Sequence, residues 1–109
     1  MNPNIDYLRD KANRLSLSPG VYLMKDKTGK IIYVGKAKAL KNRVTSYFRH
    51  DSNHNAKTLK LIDNIADFDF IVCPSELDAL VLECSLIKLH KPKYNILLKD
   101  DKGYNYIKI

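Results

Sequence analysis

Cysteine and histidine are sparse in this sequence, with two and three copies among 109 residues. Neither is spaced as a metal-binding set requires. Cys73 and Cys84 both sit in apolar runs, which reads as a pair of buried free thiols. His50 and His54 fall in a polar stretch where solvation is the ordinary state, and His90 stands alone. Long hydrophobic runs are also missing: nothing approaches the roughly 18 apolar residues of a membrane-spanning helix. Met1-Asn2-Pro3-Asn4 opens the chain without the apolar stretch of a secretory leader. There are no repeats and no low-complexity segments. These absences exclude a disulfide scaffold, a zinc module and a membrane span, and leave a soluble, cytoplasmic protein as the expectation.

What is present is positive charge. The net charge is +7, from 19 basic and 12 acidic residues. That balance favours a polyanionic partner, nucleic acid or an anionic membrane, although charge alone leaves a merely basic surface as an equal alternative. Hydrophobic residues make up 45% of the chain, enough for one modest core. The closing stretch Gly103-Tyr104-Asn105-Tyr106-Ile107-Lys108-Ile109 reads as a strand with no polar tail. It suggests a fragment of a longer chain.

Periodicity orders the elements as α-ββ-α-α-β-α-β. Ile5, Leu8, Ala12 and Leu15 mark a helix over 4–15. Strands at 20–25 and 31–34 flank the turn residues Asp26-Lys27-Thr28-Gly29-Lys30 and make a hairpin, with Gly35 ending the second strand. A helix over 37–49 carries Leu40, Val44, Tyr47 and Phe48, and a second covers 56–66. Residues 68–73 form a strand that Pro74 breaks. Ser75-Glu76-Leu77-Asp78 is a capping start for a helix over 76–89, apolar almost all round and so expected to be buried on most sides. Residues 104–109 supply a last strand. The fold class is α/β (α+β), a small and mostly antiparallel sheet flanked by helices. Residues 1–16 form an N-terminal helix packed on a single domain over 17–109.

Four groups of residues point to chemistry. Glu83 lies between Leu82 and Cys84 on the apolar helix, where an ionised carboxylate is costly unless something compensates it. A salt bridge, a metal ion or a role as general base would each do so. With Lys36 in the first turn, Lys36, Arg43 and Tyr47 share one helical stripe, either a solvated basic face or a clamp on phosphate oxygens. Tyr22 and Tyr33 lie on the two hairpin strands, bracketed by Gly20 and Gly35. They form a cross-strand aromatic pair or a site where a phenol transfers protons. Asn95, just past Pro92, caps a turn or positions a phosphate or a catalytic group.

Gly20-Val21-Tyr22 and Tyr33-Val34-Gly35, with Arg43, Glu83 and Asn95 in that order, resemble the GIY-YIG nuclease family. Val stands for Ile in each tripeptide. The stretches Ser18–Phe48 and Leu82–Ile109 are closest to its UvrC branch, the N-terminal part of the UvrC component of the bacterial excinuclease. The resemblance covers nearly all of residues 5–109. It implies a metal-dependent DNA endonuclease domain that makes the incision 3′ to a lesion in nucleotide excision repair, with UvrB as partner and damaged double-stranded DNA as substrate.

On that reading Glu83 holds a single Mg²⁺ or Mn²⁺ ion. Arg43 binds the phosphate where charge builds. Tyr33 is favoured as general base with Tyr22 positioning, the reverse assignment remaining open. Lys36, Arg43 and the metal would lower the phenol pKa. Tyr47 and Asn95 support the phosphate and the Glu83 geometry. Lys36, Lys38, Lys41 and Arg43 track the DNA backbone without reading sequence. The isolated domain is expected to be a monomer. The competing readings are a catalytically silent DNA-binding module and a protein-interaction scaffold.

Overall fold

The structure is a computed structural model that describes residues 3–49, 54 and 56–96. Its elements are α1 (Ile5–Asn13), β1 (Gly20–Lys25), β2 (Ile31–Ala37), α2 (Leu40–Tyr47), α3 (Ala56–Asn64), β3 (Asp67–Val72) and α4 (Glu76–His90). The expected strand at 104–109 and His50 lie outside the described residues.

The hairpin forms where its turn residues place it. The Asp26 carboxylate accepts from the Thr28 and Lys30 amides and from the Thr28 hydroxyl. Gly29 supplies the positive φ, +86°, that closes the turn. β1 is the central strand of an antiparallel sheet ordered β2-β1-β3. Alternation along β1 divides the core in two. Tyr22 and Met24 face α1, α2 and α3 in a cluster with Leu8, Leu40, Val44, Phe48, Leu61 and Phe68. Val21 and Leu23 face α4 in a smaller cluster with Val34, Cys73 and Ala79.

Two boundaries differ from the sequence reading, and both matter for the site. β2 runs on to Ala37 and α2 starts only at Leu40. Lys36 is therefore a strand residue, and Gly35 sits inside the strand, opposite Tyr22. α4 begins where expected, with the Ser75 hydroxyl accepting from the Asp78 amide at 3.2 Å. It is not buried on most sides. It packs on the sheet through Ala79, Leu82, Leu86 and Ile87, while Leu77, Val81 and Leu89 are 68%, 59% and 73% exposed. One sheet covers one stripe, and an all-round apolar helix still has only one face against it. Cys84 lies on the uncovered side and is exposed, so only Cys73 is a buried thiol. No helix among the described residues is long and apolar enough to cross a membrane.

The C-terminal end of α4 sets the position of Asn95. Lys91 takes the left-handed conformation, φ 46°, and Pro92 follows. A single helical turn at 93–96 comes next, anchored by buried Tyr94, whose hydroxyl accepts from the Asn64 amide at 3.1 Å.

Candidate active site

The site is assembled around β2. On the α2 side of the sheet, Tyr22 and Tyr33 meet diagonally across the hairpin with ring centroids 6.2 Å apart. Tyr22 is fully buried, and its hydroxyl lies 2.8 Å from that of Tyr47. Arg43 Nε donates to the Tyr22 hydroxyl at 3.4 Å, with its guanidinium 5.8 Å from the Tyr47 ring centre. Tyr33 and Tyr47 are also near enough to shift each other's ionisation. Three phenols and one guanidinium thus form one cluster, drawn from β1, β2 and one face of α2.

Gly35 makes room for it. A Cβ at this position would run into the phenol ring and oxygen of Tyr22, so any larger residue would force the packed ring to shift. Gly35→Ala should destabilise the fold by about 1–3 kcal/mol through overpacking. Denaturant unfolding checks this, and the Tyr22→Phe background should recover only part of the loss, because the ring carbons also collide.

The outer edge of β2 carries the remaining groups. The Asn95 side chain accepts from the Val34 amide and donates to the Val34 carbonyl, both at 2.8 Å. It pairs the strand edge as a neighbouring strand would. Two residues along the same edge, the Lys36 backbone amide and ammonium both act on Glu83 and favour its charged form. Glu83 is half-buried, and its pKa is raised because burial outweighs both of those contributions. It is close enough to Tyr33 to disfavour that phenolate. Among the described residues no three His, Cys, Asp or Glu side chains come together. Any hard cation here would rest on the one carboxylate, which is short of compensating charge and offers the oxygen donor that Mg²⁺ or Mn²⁺ prefers.

Lys36 and Arg43 do not by themselves tune the phenols downward. Burial pushes Tyr22 up to about 12, helped by neighbouring Tyr33, and Arg43 offsets only part of this. Burial likewise raises Tyr33 and Tyr47 against the opposing pull of Arg43. The neighbouring tyrosines in turn raise Arg43, Tyr22 first. A phenol whose folded pKa lies above its unfolded value favours folding below the unfolded value, and that contribution fades as pH rises through the folded one. Absorbance titration at 295 nm should therefore show the cluster ionising later than ordinary tyrosines, with stability falling between pH about 10 and 12.

The cations divide. Lys36 and Arg43 line a cavity of about 500 Å³ with Lys38, Asn42 and Ser46. Lys41 does not line it: two residues before Arg43, it projects about 200° away around α2. The sequence reading missed Asn42, which immediately precedes Arg43, and Ser46, three residues after it on the same helix. It also left His54 in solvent. His54 stacks on Tyr47, with ring centroids 6.0 Å apart and planes 12° from parallel, and its Nε2 lies 3.1 Å from the Ser46 carbonyl oxygen.

Paired tripeptides enclosing a phenol cluster, an arginine helix behind them and a glutamate helix across the strand edge define a GIY-YIG domain. The model of the UvrC-like GIY-YIG domain matches residues 18–96, and the chain belongs to that family. Among curated relatives, UvrABC system protein C of Desulfitobacterium hafniense is 60% identical over 106 residues, 97% of this chain and 17% of that protein. The Clostridium tetani protein of the same name is 62% identical over 91 residues, 84% of this chain and 15% of that one. The chain thus spans a small part of these relatives' length. The GIY-YIG N-terminal endonuclease domain of UvrC from Thermotoga maritima, solved with its catalytic magnesium, matches with a TM-score of 0.72. It is 37% identical, over 86% of this chain and 98% of that one. The same domain has been solved with its divalent cation in mutants of three tyrosines and of an asparagine.

Proposed function

We propose that the chain is a metal-dependent DNA endonuclease domain making the 3′ incision of nucleotide excision repair, acting in the cytoplasm on damaged duplex DNA with UvrB as partner. As an isolated domain it is a monomer. The observation that carries this reading is that one strand, β2, has a guanidinium–phenol cluster on one side and a half-buried carboxylate at its edge. A silent DNA-binding module would have no use for that carboxylate or for buried phenols.

Glu83 would hold a single Mg²⁺ or Mn²⁺, whose chemistry when bound is to polarise the phosphodiester and favour ionised oxygen nearby. Arg43 grips the non-bridging phosphate oxygens, where its planar fork suits the geometry and its charge meets the charge that builds during attack. Tyr22, fully buried and held by Tyr47, positions Arg43. Tyr33 is only partly buried; as the phenolate, the form that a bound cation and Arg43 would favour against burial, its oxygen would take the proton from the attacking water and return to the neutral phenol. Lys36 and Lys38 hold the backbone through charge, so binding weakens with salt and ignores sequence. Asn95 acts at a distance, fixing the edge of β2 and hence Tyr33 and Lys36.

The test is incision of a lesion-bearing duplex by the intact protein with its repair partners. Cutting should require Mg²⁺ or Mn²⁺, stop on chelation and resume on re-addition. Salt-sensitive DNA binding with no metal-dependent cut would instead establish the silent module.

A further inference from the structure

Lys36, Ala37 and Lys38 form a ridge with a cavity on each side. The first, about 500 Å³, continues the phosphate-binding surface toward Asn42 and Ser46. The second, about 230 Å³, lies between the end of β2 and the first turns of α4 and is lined also by Glu76, Leu77, Ala79 and Leu80. None of Tyr22, Tyr33, Tyr47 or Glu83 lines this second cavity, so the cutting chemistry leaves it unused. Its floor, Ala79, is buried, while its walls Leu77 and Leu80 are 68% and 41% exposed. It therefore offers two ammonium groups on the ridge, two apolar walls and one carboxylate.

A nucleotide presents the complement of all three: a phosphate, the apolar face of a base, and N–H groups on the base edge. A partner helix laid on the leucines would use the walls alone. The ridge is common to both cavities, so a strand seated on Arg43 passes into the second by crossing Lys36 and Lys38. We propose that this second cavity takes one unstacked nucleotide of the cut strand, its base against Leu77 and Leu80 and its phosphate on the Lys36–Lys38 ridge. This rests on the reading of the chain as a DNA endonuclease.

The test uses the intact protein with its repair partners and duplexes carrying 2-aminopurine at successive positions on either side of the cut. Binding should raise emission at one of these positions as that base leaves the stack. Leu77→Ser and Leu80→Ser should each abolish the rise and increase KM about fivefold, with kcat changed less than about twofold. Leu77 is mostly exposed, so its replacement leaves the fold intact, and an unchanged melting midpoint verifies this. No rise at any position, or a rise that persists in both variants, while the wild type still cuts, overturns the subsite and spares the endonuclease reading. Variants that keep their DNA parameters but lose UvrB overturn it in favour of a protein-docking face. A wild-type protein that fails to cut with Mg²⁺ removes the endonuclease reading and the subsite together.

Discussion

Glu83→Gln should reduce incision by about 10³-fold or more while leaving the chain folded. The substitution preserves shape and removes the negative charge that would anchor the divalent ion. Lewis-acid stabilisation of a phosphoryl transition state contributes several kcal/mol, which sets that scale. The effect on stability has the opposite sign. Burial raises the Glu83 pKa despite the opposing pull of the Lys36 ammonium and backbone amide. The folded state therefore holds the Glu83 proton more tightly than the unfolded state, and this contribution is lost as pH rises through the folded pKa. Without metal at neutral pH, the glutamine variant should melt at the same temperature as the wild type or higher. Added Mg²⁺ should reverse the order, because ligand binding stabilises only the protein that binds it. Differential scanning fluorimetry of both proteins, with and without Mg²⁺, reads this crossing directly.

Arg43→Ala should lower incision by about 10²–10³, the usual cost of removing one preorganised donor from a developing charge. DNA affinity should fall far less, because one phosphate contact among several is lost. The cluster should survive, since the Tyr22 hydroxyl keeps Tyr47 at 2.8 Å. Arg43→Lys should recover binding more than rate, since an ammonium keeps the charge but not the planar fork. Single-turnover incision and equilibrium binding on the same duplex separate the two effects. Equal losses in both would assign Arg43 to tethering rather than to the reaction.

The features legible in the sequence were those decided by near neighbours. The Asp26–Lys30 turn, the Ser75 cap and the alternation that puts Tyr22 and Tyr33 on one sheet face all depend on residues close in the chain or directly across the hairpin. The features that were not legible depend on distant partners. Gly35 looked like a strand end, but its reason is the Tyr22 ring across the hairpin. Asn95 read either as a turn residue or as a group positioning the site, and the sequence could not show that its amide binds Val34, 61 residues earlier. Hydrophobicity alone could not say how many faces of α4 the sheet covers, so Leu77, Val81 and Cys84 were placed inside when they lie outside. That Lys36 and Arg43 do not by themselves lower the phenols has a related reason. Lys and Arg nearby are visible in a sequence, whereas the burial that outweighs them is a property of the packed core.

The central claim is that one divalent ion sits on Glu83, across the β2 edge from Arg43 and the phenols. Crystals soaked in Mn²⁺ and measured at the manganese absorption edge test it most directly. The account predicts one anomalous peak, at coordination distance from a Glu83 carboxylate oxygen and absent in Glu83→Gln. A peak held by other side chains with none at Glu83, or one that persists unchanged in the glutamine variant, would contradict it.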